Sequence, residues 1–269
     1  MIPLAVVDAF TDKPFAGNPA AVCVLERWPS DQWLHLVGRE MNLSETAFLV
    51  PGAKYEFELR WFTPRVEVAL CGHATLASAH RIWESGLSPR LPLRFITRKN
   101  GTLHAAPLPG GQIELDFPAK PATTVQAPPG LVESLGASAA YVARNEFDYL
   151  VEVGSEQEVK SLRPDFTRLG ATECRGVIVT AKSTDPRFDF VSRFFAPAAG
   201  INEDPVTGSA HCCLSEYWGE KLGKSEMVGF QASERGGVVK VVRDRGRVKL
   251  IGRAITICNG ELLVPPTGS

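Results

Sequence analysis

The residue types suited to moving a proton stand at Glu45, His73 and Asp204. Glu45 lies between Leu43 and the apolar run Ala47-Phe48-Leu49, at the head of a strand-like stretch. A carboxyl beside apolar groups has its charged form penalised, so it can hold a proton near neutral pH and exchange it with carbon. The same context also describes a strand-entry glutamate pointing into water. His73 falls in the first turn of a helix-like segment of small residues, Ala74-Thr75-Leu76-Ala77-Ser78-Ala79. The positive end of a helix disfavours a protonated ring, so a neutral His73 would hydrogen-bond or relay a proton. A structural histidine satisfied by backbone is the plain alternative. Asp204, in Glu203-Asp204-Pro205, precedes a second such segment, where an Asp serves either as a cap or as a functional group. Glu203 is its neighbour and the second choice.

Gly72 and Gly208 open these two segments, and Ser209 follows the second glycine. A helix start presents unpaired N–H groups and about half a positive charge, which suits a carboxylate. Each glycine equally serves tight packing or a positive φ. The two segments also belong to an internal repeat. Arg60-Trp61-Phe62-Thr63-Pro64 is matched by Arg193-Phe194-Phe195-Ala196-Pro197. The helix-start glycine follows the proline by 8 positions in the first copy and 11 in the second. The repeat predicts two similar lobes, each a sheet around one buried helix, with the two helix starts meeting at a cleft.

Short β-branched runs between turn signals predict the strands that carry these residues. They fall at 4–10, 20–25, 46–50, 55–62, 93–97, 102–106 and 112–117 in the first half. In the second half they fall at 141–143, 149–153, 176–180, 188–195, 228–232, 238–243, 247–251 and 254–263. Hairpin turns such as Asn100-Gly101 imply mainly antiparallel sheet. Helices are expected at 30–41, capped by Ser30, at 73–85 and at 209–222, with a capping box at Ser155-x-x-Glu158. Cys212, Cys213, His80 and His211 read as packing within the buried helices. Arg60 and Arg193 read as structural, and Arg243-Asp244-Arg245-Gly246-Arg247 as a solvated hairpin. The fold class is therefore α+β, with lobes at 1–118 and 119–269 and a last strand free to return to the first lobe. The proline-rich stretch 118–129 marks the junction.

The chain has 269 residues, 44% hydrophobic and 22% charged, with 24 Gly and 20 Pro, as expected of a globular protein of short strands. A net charge of −1 lacks the basic surplus of a nucleic-acid binder. No run is long and apolar enough to span a membrane, and the N-terminus does not read as a signal peptide. The six cysteines form neither CxxC pairs nor metal spacing, so free thiols in a reducing compartment are expected.

Six stretches then carry a resemblance: Asp8-Ala9-Phe10-Thr11, Phe15-Ala16-Gly17-Asn18-Pro19-Ala20-Ala21-Val22, Asn42-Leu43-Ser44-Glu45-Thr46-Ala47-Phe48, Phe62-Thr63-Pro64, Leu70-Cys71-Gly72-His73-Ala74-Thr75 and Glu203-Asp204-Pro205-Val206-Thr207-Gly208-Ser209-Ala210. Together they resemble the PhzF-type phenazine-biosynthesis family, a branch of the diaminopimelate-epimerase-like fold. The resemblance implies pseudo-symmetric lobes, each a barrel-like sheet around a central helix, and a cytoplasmic homodimer. It implies a cofactor-independent isomerase, without metal, that moves a proton within a small carboxylate-bearing, amino-acid-like substrate. Glu45 matches the acid/base carboxylate, and His73 and Asp204 its polar partners. Gly72, Gly208 and Ser209 match the substrate-carboxylate site, and Asn18 a substrate contact. In the epimerase branch two cysteines act as opposed thiols. Cys71 fills the first place, but Thr207 fills the second, and a hydroxyl is a far poorer proton acceptor than a thiolate. An amino-acid racemase or epimerase, and a non-catalytic binder of small acids or a partner, are the alternatives.

Overall fold

A computed structural model describes residues 1–265. The chain divides into two units, Met1–Asp116 with the segment from Ile251 onward, and Phe117–Leu250. No helix among the described residues is long and apolar enough to cross a membrane.

The first unit runs β1 (Ile2–Ala9), β2 (Asn18–Val24), α1 (Asp31–Met41), β3 (Glu45–Pro51), β4 (Glu56–Phe62), β5 (Glu67–Val68), α2 (Gly72–Glu84), β6 (Leu93–Ile96), β7 (Thr102–Pro107) and β8 (Ile113–Pro118). The second unit runs β9 (Thr123–Thr124), α3 (Leu131–Leu135), β10 (Ala139–Arg144), β11 (Asp148–Val153), α4 (Glu156–Ser161), α5 (Phe166–Leu169), β12 (Gly176–Lys182), β13 (Phe190–Phe195), α6 (Gly208–Leu222), β14 (Glu226–Gln231), β15 (Gly237–Asp244) and β16 (Arg247–Gly252). The last strand, β17 (Ala254–Leu262), pairs with β1.

Strand pairing shows the repeat directly. In the first unit the order is β17-β1-β2-β3-β4-β6-β7, with β2–β3 and β4–β6 parallel and the other pairs antiparallel. In the second it is β9-β10-β11-β12-β13-β14-β15, with β11–β12 and β13–β14 parallel at the same two steps. The sheets are thus mainly antiparallel, as hairpin spacing predicts, but not at these four steps. Each parallel step spans a helical crossover, since parallel neighbours cannot be joined by a tight turn. α1 links β2 to β3, α2 lies between β4 and β6, α4 and α5 link β11 to β12, and α6 links β13 to β14.

Burial explains the two central helices. From His73 to Ala79 every residue of α2 is buried, against β1, β2, β3 and β17. Small side chains let strands approach from several sides. In α6, Ala210 to Ser215 are all buried, and the Trp218 ring stacks on Phe190 at 6.1 Å. Both helices start one residue before the sequence boundary, at the glycines themselves. α1 starts as expected, with the Ser30 hydroxyl accepting from the Trp33 amide, and Asn42 ends it in the left-handed region (φ 48°). That sharp stop delivers the chain to Glu45 at the head of β3. The short elements α3, α5, β5 and β9 carry too few residues for a periodic signal.

Two charged or polar readings need correction. Arg243 is not a solvated hairpin residue: it pairs with Glu216 at 2.8 Å, and its guanidinium packs where a side chain at Gly219 would stand. His80 is not core packing: it is half-buried, with Nε2 3.2 Å from the Thr256 hydroxyl. The two repeat arginines are structural, as read. Arg60 holds Glu67, and Arg193 holds Glu203, each through two bonds of 2.7 Å. Glu203 is therefore a structural partner of Arg193.

Candidate active site

In the first unit, parallel pairing sets Ala20 of β2 beside Glu45 of β3, which brings Asn18, two residues upstream, to the same end of the sheet. α2 packs on these strands, so its first turn lies at that end. Asn18, Glu45, Cys71 and His73 are thereby brought together from three separate stretches of chain.

The geometry fixes the state of His73. The Asn18 side-chain amide donates to Nδ1 at 3.0 Å. A ring nitrogen that accepts carries no proton, so the neutral ring carries its proton on Nε2. Nε2 lies 3.2 Å from Oε2 of Glu45. Burial brings the His73 pKa down to about 3, which keeps the ring neutral across the physiological range. Cys71 Sγ sits 3.5 Å from the same Nδ1. The Glu45 side chain remains 14% exposed, so an outside molecule has access to it.

The approach to Asn18 is built tightly. Gly17 has φ +66°, and a Cβ there would lie 2.2 Å from the Ala9 carbonyl oxygen. Only glycine combines that backbone with that contact. Phe15, two residues earlier, is also left-handed (φ 65°), and its amide donates to the buried Asp8 carboxylate at 2.8 Å.

In the second unit, Asp204, Thr207, Gly208 and Ser209 gather at the start of α6. The Thr207 hydroxyl donates to Asp204 at 2.6 Å. Gln231 of β14 clamps the turn: its amide nitrogen donates to the Asp204 carbonyl at 2.7 Å, and its oxygen accepts from the Thr207 amide at 2.8 Å. Neither Cys71 nor Thr207 caps its helix through its side chain, so both central helices present their first-turn amides without that partner.

Sequence reading missed Arg175, Asp148 and Gln231. Arg175 donates to the Ser209 hydroxyl at 2.9 Å and through Nε to Asp148 at 2.8 Å, with a second, shorter bond from Nη2. Asp148 is buried and so fixes the guanidinium at the helix start. No local spacing announces these residues, because Asp148, Arg175 and Ser209 come from three distant segments. His211, expected to pack, is fully buried in α6, and its Nδ1–H donates to the Thr207 carbonyl at 2.9 Å. Burial brings its pKa down to about 4.

Known proteins resemble this chain along nearly its whole length. The family profile "Phenazine biosynthesis-like protein" matches residues 7–260. An uncharacterized isomerase of Halalkalibacterium halodurans is 53% identical over 266 residues, which is 97% of this chain and 98% of that protein. The crystal structure of a PhzF-family phenazine biosynthesis protein from Enterococcus faecalis superposes with a TM-score of 0.91 at 38% identity, covering 98% of this chain and 99% of that one. A probable proline racemase from Agrobacterium radiobacter, 12% identical, gives a TM-score of 0.64 over 99% of this chain and 94% of its own. At that identity the likeness is one of fold alone, and the fold is the diaminopimelate-epimerase-like one.

Proposed function

Because the chain belongs to the phenazine biosynthesis-like protein family, we propose that it is a cofactor-independent isomerase that shifts a proton within a small, carboxylate-bearing, amino-acid-like substrate. The observation that carries this reading is the contact of Glu45 with His73, whose ring is oriented by Asn18. The Nε2–H edge of a neutral His73 stands 3.2 Å from the Glu45 carboxylate. Glu45 then takes a proton from one substrate carbon and returns it, as a carboxylic acid, to another, while the double bond moves between them. Charge that develops beside the substrate carboxylate is stabilised by fixed donors that need no reorientation during reaction.

Those donors are the amides at the start of α2; within the second unit, the amides of Gly208 and Ser209 and the Ser209 hydroxyl form an anion cradle of the same kind. Arg175 adds a guanidinium already aimed at Ser209. Asp204, holding Thr207, assists at the α6 start. Two-thiol racemisation does not suit this chain: the residue facing the role of the second thiol is Thr207, whose hydroxyl donates to Asp204. The names of the relatives support the reaction class, isomerase. A homodimer in the cytoplasm is part of the same proposal, and light scattering on the full chain tests the assembly.

The test of the chemistry is incubation with candidate unsaturated amino acids in D2O, with deuterium followed by NMR. For a true substrate, Glu45→Gln lowers deuterium incorporation by about 100-fold or more, the usual contribution of a general base. Equal turnover by the Gln variant would remove Glu45 from the reaction.

A further inference from the structure

Cys71 has no part in the proton transfer proposed above, yet its sulphur belongs to the same cluster. One sulphur of Cys71, one ring nitrogen of His73 and one carboxylate oxygen of Glu45 lie within 4.8 Å of one another. That is a soft, a borderline and a hard donor in one place. The set suits a tetrahedral divalent ion of the zinc type with its fourth position open.

One of the distances already agrees with such an ion, and the sulphur lies within 4.8 Å of the other two donors. Bonds of about 2.0 to 2.3 Å in a tetrahedron set its ligand atoms roughly 3.3 to 3.6 Å apart. Nε2 of His73 and Oε2 of Glu45 already stand 3.2 Å apart. The second observation is the ring itself. His73 is 3% exposed, and Nε2 makes no hydrogen bond of acceptable geometry. A buried polar atom left in that state is costly, and a ligand bond there relieves it. Asn18 on the opposite nitrogen is the outer partner that ligating histidines commonly have, fixing the ring plane. Glu45, partly exposed, provides the way in.

We propose that Glu45, Cys71 and His73 form a binding site for a zinc-like divalent cation. Binding releases the thiol proton of Cys71 to solvent and leaves a thiolate–metal bond. The ring proton passes from Nε2 to Nδ1, and the Asn18 amide turns to accept it with its oxygen. No electrons are transferred. On the reading of Glu45 as the base, an occupied site withdraws its lone pair, and the cation inhibits the isomerase.

Co2+ is the probe, added to the metal-free full-length protein. One equivalent is expected to give a sulphur-to-cobalt charge-transfer band in the near ultraviolet and four-coordinate ligand-field bands in the red, both displaced by Zn2+. Cys71→Ser removes the charge-transfer band. Glu45→Gln weakens affinity at least tenfold. Cys258→Ser, which removes the exposed thiol, changes neither. Absence of the bands from the wild-type protein overturns the proposal, as does a charge-transfer band that survives Cys71→Ser. A band lost with Cys258 instead assigns the metal to the surface and also overturns it. If Cys71→Ser does not fold by circular dichroism, unchanged affinity in a folded Glu45→Gln decides against the site. None of these readings measures turnover, so the site and the isomerase reading fail separately.

Discussion

Arg193 and Glu203 face each other through two hydrogen bonds of 2.7 Å, and the same guanidinium also reaches the carbonyls of Leu162 at 3.0 Å and Val159 at 3.3 Å. One arginine thus ties the loop before α6 to the end of α4. The pair explains why, of two adjacent acids, Asp204 is presented to the α6 start and Glu203 is not. Arg60 and Glu67 repeat the arrangement in the first unit.

Breaking this tie is expected to cost stability. Arg193→Met leaves Glu203 and two carbonyls without their cation, and removing one partner of such a partly buried set costs about 1–3 kcal/mol. Urea unfolding of the variant measures it. A loss below about 0.5 kcal/mol, typical of an exposed pair, would show that the tie carries no structural weight.

The orientation of His73 rests on Asn18. In the wild-type protein, 15N NMR of the His73 ring is expected to show the Nε2–H tautomer, because Nδ1 accepts from Asn18. Asn18→Asp replaces that donor with an acceptor and moves the proton to Nδ1. Nε2 then meets Glu45 lone pair to lone pair, and proton transfer to a substrate falls by about tenfold or more. An Nδ1–H tautomer in the wild-type protein would contradict the assignment.

His211 makes stability depend on pH. Its folded pKa is about 4, against an ordinary 6.5, because burial penalises the charged ring. Above 6.5 the folded and unfolded forms are both neutral, and the full stability is present. As pH falls from 6.5 toward 4, the unfolded chain takes up a proton that the folded one refuses. Stability then drops by up to about 1.4 kcal/mol per pH unit from this residue. Urea midpoints at about pH 7 and about pH 5 measure the slope, and His211→Gln is expected to remove close to one proton from it. An unchanged slope would assign the acid sensitivity to other groups.

Sequence alone exposed the chemistry that is local. The two glycine helix starts, Glu45 at the head of β3, the Ser30 cap and the Arg60/Arg193 repeat all show in short windows, because spacing and residue type are enough to define them. The same windows missed the parallel steps at β2–β3, β4–β6, β11–β12 and β13–β14. Hairpin turns predict only neighbours in sequence, whereas these strands are joined through helical crossovers.

What the sequence determined by itself was the family and the fold class, together with the residues proposed to move a proton or hold an anion. Only the tertiary structure decided how they meet. Asn18 sets the proton of His73 toward Glu45, Asp148 pins Arg175 to Ser209, and Gln231 clamps Asp204 and Thr207. Each of these contacts joins residues from separate segments of the chain. A hydrogen bond is fixed by angstrom-scale distance and direction, and those come into being only when strands and helices have packed around a common core.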